Sequence, residues 1–436
     1  MSVSSTKINS GLQFLTVPQP GAKTVTALVL VGTGSKYESA SQSGVSHFLE
    51  HLFFKGTKKY PSPMALSVAL DAVGGEYNAF TSKEYTGYYM KVPAEKADLA
   101  LTLVSEMLLA SKFELNEVEK EKGVIVEEIN MYEDNPMMYV EDVFESCLYG
   151  DTPAGRDTAG SKDTVNALTR QQIVDYFNAQ YLPGNTVVCL TGKVSPALAK
   201  QAQKRFAEYA RKNGQQQFQE KAVVLVNQSK PAVIVKFKQT DQAHILLGVH
   251  GLPYGHADEM AAKLLAVILG GSMSSRLFHE IREKRGLAYY VRTNAESYTD
   301  SGYIATQAGI RVNALPETIE VILVEYAKMA KTLVPATELR RVKDMIKGRV
   351  TLQLEASDDL GEWYSRQAVM LLTQARTGTS GRGKLYSPEE FFKRLEAVTV
   401  VQIRNIAKKI FTTEKLNLAV IGPYKNSAEI EAKLHF

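Results

Sequence analysis

Two stretches of this chain share one pattern: "GNTVVCLTGKV" at 184–194 and "KLNLAVIGPY" at 415–424. Each is an apolar, β-branched run closing on glycine, and each follows an amphipathic stretch of helical period, "TRQQIVDYFNAQY" and "TVVQIRNIAKKIF". A repeat of about 230 residues is longer than any solenoid unit, so the pattern makes the chain two copies of one domain. Each half also opens alike. A strand ("KTVTALVLVGTGS", "AHILLGVHGL") leads to a helix ("GVSHFLEHLFF", "DEMAAKLLAVILGG") and then to an aromatic strand pair ("EYNAFTSKEYTGYYMKV", "AYYVRTNAESYTDSGYIATQAG").

Strands gathered into meanders, with helices grouped between them, predict an α+β fold: two homologous α/β-sandwich domains with antiparallel-rich sheets, duplicated within the chain. The polar stretch "RKNGQQQFQEKAVVLVNQSKP" divides them, giving domains at 1–212 and 232–436 with a linker at 213–231. At 436 residues there is material for more than one core, and 44% hydrophobic with 22% charged residues excludes a disordered or fibrous chain. A formal charge of +4 without a long basic run gives no nucleic-acid surface. Cys147 and Cys189 form no metal-type pair and read as reduced. The start "MSVSSTKINSGLQFLTV" lacks signal- or transit-peptide features, and Glu106 and Lys263 interrupt the longest apolar runs. The expectation is a cytoplasmic, bacterial-type protein without membrane insertion.

Chemistry concentrates in "GVSHFLEHLFFKGT", residues 44–57, which holds two of the seven histidines. On a helix His47 and His51 stand one turn apart, about 6 Å along the axis and about 40° around it, so both imidazoles can reach one metal ion. Glu50 lies between them in the His-x-x-Glu-His order of an inverted zincin motif, where it can accept a proton from water instead of binding metal. Zinc needs a third protein ligand to keep one position open. The helical stretch "FELNEVEKEKGVIVEEINMYEDN" offers Glu128 as that ligand and Glu121, seven residues earlier on the same face, as its support; Val124, Ile125 and Ile129 would pack inward. Spacing alone does not identify the third ligand.

These residues resemble the pitrilysin-type metallopeptidases, the family of insulin-degrading enzyme and the mitochondrial processing peptidase, and within it the short bacterial members similar to the processing peptidase β subunit. "SHFLEHLFFKGTKKYP", "GGEYNAFTSKEYTGYYMKV", "EKEKGVIVEEINMYEDNP", "PAGRDTAGS" and "GGSMSSRLFHEIREKRGLAYYV" occur in the family's order across nearly the whole chain. The resemblance implies one Zn2+ per chain held by His47, His51 and Glu128, the last 77 residues after the second histidine, with Glu50 as general base and Glu121 supporting the metal. It also implies that Asn78, Ala79, Phe80 and Thr81 form an edge strand to which an extended peptide substrate adds. From the second half, Arg282 and Tyr289 would hold the scissile carbonyl as charge develops.

The family's full-length members enclose a chamber with four such domains, so a two-domain chain implies a dimer. Both the zinc motif and the Arg/Tyr pair are present here, which favours a homodimer over a heterodimer with a homologous subunit. Of the acidic pair that reads basic residues in the processing peptidase, one position is Met138 and the other Asp142, with Glu141 beside it. The expected activity is therefore hydrolysis of short or unfolded peptides, chosen by size and extended conformation. The competing reading is a non-catalytic or partner-dependent subunit, as in the structural core of a respiratory complex.

Overall fold

The computed structural model describes residues 3–8, 11–213, 218–378 and 383–436. In its first sheet β1 (Ser4–Lys7), β2 (Gln13–Pro18), β3 (Thr24–Val31), β4 (Glu76–Thr81), β5 (Thr86–Pro93) and β6 (Thr186–Gly192) run in the order β1-β2-β6-β3-β5-β4. In the second, β7 (Ala232–Phe237), β8 (Gln242–His250), β9 (Ala288–Ser297), β10 (Gly302–Arg311) and β11 (Leu416–Gly422) run β7-β11-β8-β10-β9. Without β1 the two orders are the same. Each starts with one parallel pair, β2/β6 or β7/β11, and continues antiparallel to its far edge. The duplication read from the sequence is a duplication of topology.

Local chemistry repeats as well. Thr169 and Gln172 close a capping box on the helix Arg170–Gln180, and Thr399 and Gln402 close the same box on Val400–Ile410. Each box satisfies two helix-start amides that would otherwise lack acceptors, and each helix then feeds β6 or β11.

The compact units are not contiguous in sequence. One comprises 1–129, 157–222 and 349–389, the other 130–156, 223–348 and 390–436, which corrects the division at 212 and 232. The reason lies in the sheets: β3 and β6 are buried along nearly their whole length, so both sheet faces need apolar cover. In the first unit the helix Ala97–Ala110 packs on β3 and β5, while Ser357–Thr377, from the second half of the chain, packs on β3 and β6. In the second unit Pro136–Tyr149, from the first half, covers β11, β8 and β7. Each half gives one helix to the other half's sheet.

Of the linker, 218–231 forms no helix or strand, and 214–217 lie outside the described residues. No helix among the described residues is long and apolar enough to cross a membrane. Cys147 and Cys189 are both free thiols.

Candidate metal centre and active site

The helix Val45–Leu52 is built by its buried side. Val45, Phe48, Leu49 and Leu52 enter the core of the first unit, which turns His47, Glu50 and His51 toward the opposite side. Its start is pinned twice. Gly44 sits at φ 95, where a Cβ would come within 2.5 Å of the Ala159 carbonyl oxygen, so only glycine fits. Glu38, 4% exposed, accepts from the amides of Gly44 at 2.7 Å and Ser46 at 2.8 Å, and this burial pushes its carboxyl up to about 7.

The second element is the helix Leu115–Asp134, which ends where Pro136 forces Asn135 into an extended conformation. Its stripe of Val118, Ile125 and Ile129 is buried, but Val124 is 51% exposed, against expectation. One step back along a helix turns a side chain about 100° away, and Ile125 alone takes the inward place. That stripe aims Glu128 at both histidines, with its Oε2 3.2 Å from His51 Nε2 and 3.6 Å from His47 Nε2. The three ligand atoms lie within 4.8 Å of one another, and no other such His/Cys/Asp/Glu group occurs among the described residues.

Glu121 lies against the second histidine. Its Oε1 accepts from His51 Nδ1 at 2.8 Å, so that in the neutral ring a metal requires, Nε2 presents its lone pair on the side of Glu128. The other oxygen pairs with Lys55 Nζ at 2.7 Å. Lys55 escaped the sequence reading, although it stands one helical turn beyond His51, where a cation can anchor such a carboxylate. Burial opposes charge on His51, but the Glu121 and Glu128 carboxylates outweigh it and push the imidazole up to about 9. Contact with His47 and His51 holds the Glu128 carboxyl well below the usual range. Two imidazole nitrogens and one carboxylate oxygen, with the second histidine oriented through its far nitrogen, make a donor set that fits zinc with one position open.

Glu50 stays outside this triangle. Its Oε2 accepts from Thr81 Oγ1 at 2.5 Å, joining the motif helix to the end of β4. β4 is the edge of the first sheet, pairing among the described residues with β5 alone, and the Ala79 amide turns to its neighbour's side chain, Asn78 Oδ1, at 2.9 Å. Phe80 points to the opposite face from Thr81 and lies over Gly87, where a Cβ would come within 2.2 Å of the ring. Its side chain serves the sheet.

Arg282 and Tyr289 belong to the second unit and come together there. The guanidinium lies 5.2 Å from the Tyr289 ring centre and 4.9 Å from that of Phe278, and Tyr289 is 76% exposed at the start of β9. Asp142, half-buried, and Glu141 ride on Pro136–Tyr149, also in the second unit, where Glu141 accepts from Tyr303 Oη at 3.1 Å. Met138 is 43% exposed on the same helix. In the second half, the helix corresponding to the motif helix, Glu259–Gly270, contains no histidine.

Residues 13–162 match the insulinase (peptidase family M16) domain and residues 167–346 the peptidase M16 inactive domain. An uncharacterized zinc protease of Bacillus subtilis is 35% identical over 96% of this chain and 97% of its own length. A second, from Streptomyces coelicolor, is 34% identical over 98% of this chain and 90% of its own. Among solved structures, a protease from Helicobacter pylori superposes with a TM-score of 0.85 at 23% identity, covering 97% of this chain and 99% of the other, and so shares its fold. The chain belongs to the insulinase (M16) family of peptidases.

Proposed function

We propose that this chain is a zinc metalloendopeptidase that hydrolyses short or unfolded peptides. The observation that carries the proposal is the hydrogen bond from Thr81 to Glu50, which ties an open strand edge to a carboxylate beside, but outside, the His47–His51–Glu128 group. When bound there, zinc supplies a Lewis acid that makes water a nucleophile near neutral pH. His47, His51 and Glu128 hold the ion, and Glu121 with Lys55 keeps the His51 ring oriented. Glu50 accepts a proton from the attacking water and returns it to the leaving amine nitrogen. An extended peptide adds to β4 through main-chain hydrogen bonds, which select conformation with little demand on sequence.

Arg282 and Tyr289 are proposed to donate to the scissile carbonyl oxygen within a chamber closed by a second copy of the chain, with Asp142 in reach of a basic substrate residue. A homologous partner in place of the second copy is the alternative, and the cytoplasm is the proposed compartment. A non-catalytic role is the second reading, because the second half matches a domain described as inactive.

Zinc content per chain and turnover of a quenched, unstructured peptide, measured on the wild type and on Glu50→Gln, decide between these. The proposal expects about one zinc in both and turnover only in the wild type. Zinc without wild-type turnover points to a missing partner, and absence of zinc overturns the metallopeptidase reading.

A further inference from the structure

Residues 218–221, at the end of the first unit's 157–222 segment, are held within that unit by contacts that converge on the substrate strand. Lys221, with its side chain 2% exposed, reaches Glu84 Oε1 at 3.3 Å, and Lys36 reaches the same oxygen at 2.9 Å. Glu84 is itself buried and sits in the turn 82–85 that joins β4 to β5. Around this group the neighbouring residues are held one by one. Phe218 packs edge-on against Tyr37 and under the Arg376 guanidinium at 4.1 Å. The Gln219 carbonyl accepts from Gln180 Nε2 at 3.0 Å, and Glu220 accepts from Arg376 Nε at 2.8 Å.

The turn is also held from its other side. Ser35 and Lys36 donate their amides to the carbonyls of Ser82 and Lys83, and at Gly34 a Cβ would lie 2.0 Å from the Ser82 oxygen. A turn clamped between 34–37 and 218–221 cannot shift without breaking a buried ion pair, which is costly when one partner is left alone in a low dielectric. Thr81, the residue before this turn, carries the hydrogen bond to Glu50. We infer that Phe218–Lys221 is a clasp that positions the β4–β5 hairpin, and through it the peptide-binding edge and Glu50, by way of the Lys221–Glu84–Lys36 group. Lys221 and Phe218 are thus positioning residues, remote from the chemistry, and this inference rests on the peptidase reading for its catalytic consequence. Its structural half stands independently.

The test compares wild type, Lys221→Met, Lys221→Arg and Phe218→Ala by hydrogen exchange of 76–86 and by peptide kinetics and zinc content. In Lys221→Met the Lys36–Glu84 pair survives, and Phe218→Ala leaves every charge paired, so at least one variant reports on a folded protein. The clasp predicts exchange at 76–86 faster by about tenfold in Lys221→Met and Phe218→Ala, with 45–52 unchanged, and recovery in Lys221→Arg. It further predicts KM raised several-fold and kcat lowered while zinc content holds. Unchanged exchange at 76–86 in both variants overturns the clasp. If the wild type cleaves no peptide, the peptidase reading fails, and the exchange data still decide the clasp.

Discussion

Glu121→Gln tests whether the metal centre is oriented through its histidine. The Glu121 carboxylate is only 4% exposed, and it accepts from His51 Nδ1 at 2.8 Å while pairing with Lys55 at 2.7 Å. Glutamine keeps the shape and one acceptor oxygen, so the ring stays aimed while the charge disappears. A hydrogen bond to a charged group contributes about 1.5–3 kcal/mol and a neutral one about 0.5–1.5, so the support lost by His51 is about 1–1.5 kcal/mol. That corresponds to a zinc affinity weakened by about tenfold, at the low end of the roughly 10- to 100-fold range for such partners. Glu121→Ala, which also frees the ring, should approach the high end. Lys55 is 25% exposed and keeps water when its partner becomes neutral, so the fold should hold, as circular dichroism would verify. Competition with a chromophoric chelator near neutral pH gives the affinity. A folded Glu121→Gln protein binding zinc within about twofold of the wild type would refute the orienting role of this carboxylate.

Thr81→Val removes the hydroxyl that donates to Glu50 and should lower kcat by about tenfold at unchanged zinc content; an unaltered kcat would mean that Glu50 needs no such anchor. Glu38→Ala leaves the Gly44 and Ser46 amides without their buried acceptor and should cost about 2 kcal/mol or more of stability in urea unfolding; an unmoved midpoint would reject the cap. In protein stripped of metal, Glu121 and Glu128 overcome burial and hold His51 protonated up to about 9, above its ordinary value. This contribution to stability is fully present below about pH 6.5 and is lost as the pH rises through about 9. Zinc requires the neutral ring, so its uptake near neutral pH should release about one proton from His51, seen by calorimetry in buffers of different ionisation heat. Uptake without proton release would contradict the charged state of His51.

Short-range regularities carried much of this into the sequence. His47, Glu50 and His51 are legible because helical spacing alone places them on one side; seven residues make two turns, which puts Glu121 and Glu128 on one face, but singling out Glu128 as the third ligand took the family resemblance. The duplication is legible because the same apolar, β-branched run and the same helix-to-strand order recur. Val124 misled because an apolar residue on a helix is informative only in relation to the direction of the core, and that direction is set by packing. Lys55 and Glu38 passed unnoticed because an isolated charged residue has no pattern. Their meaning comes from the partners, which for Glu38 are backbone amides that a sequence does not display.

The amino-acid sequence by itself determined the repeated α+β order of elements and the placement of Glu50 between His47 and His51 on one helix, since each depends on short-range pattern. Only the tertiary structure decided which helix covers which sheet, that Thr81 meets Glu50, and that residues 218–221 meet the hairpin carrying the open edge. Ser357–Thr377 packs on strands more than 150 residues away, and Lys221 pairs with Glu84 across a similar gap in the chain. Such contacts arise because a buried sheet face or a buried ammonium group must find a partner in space, wherever the chain brings one.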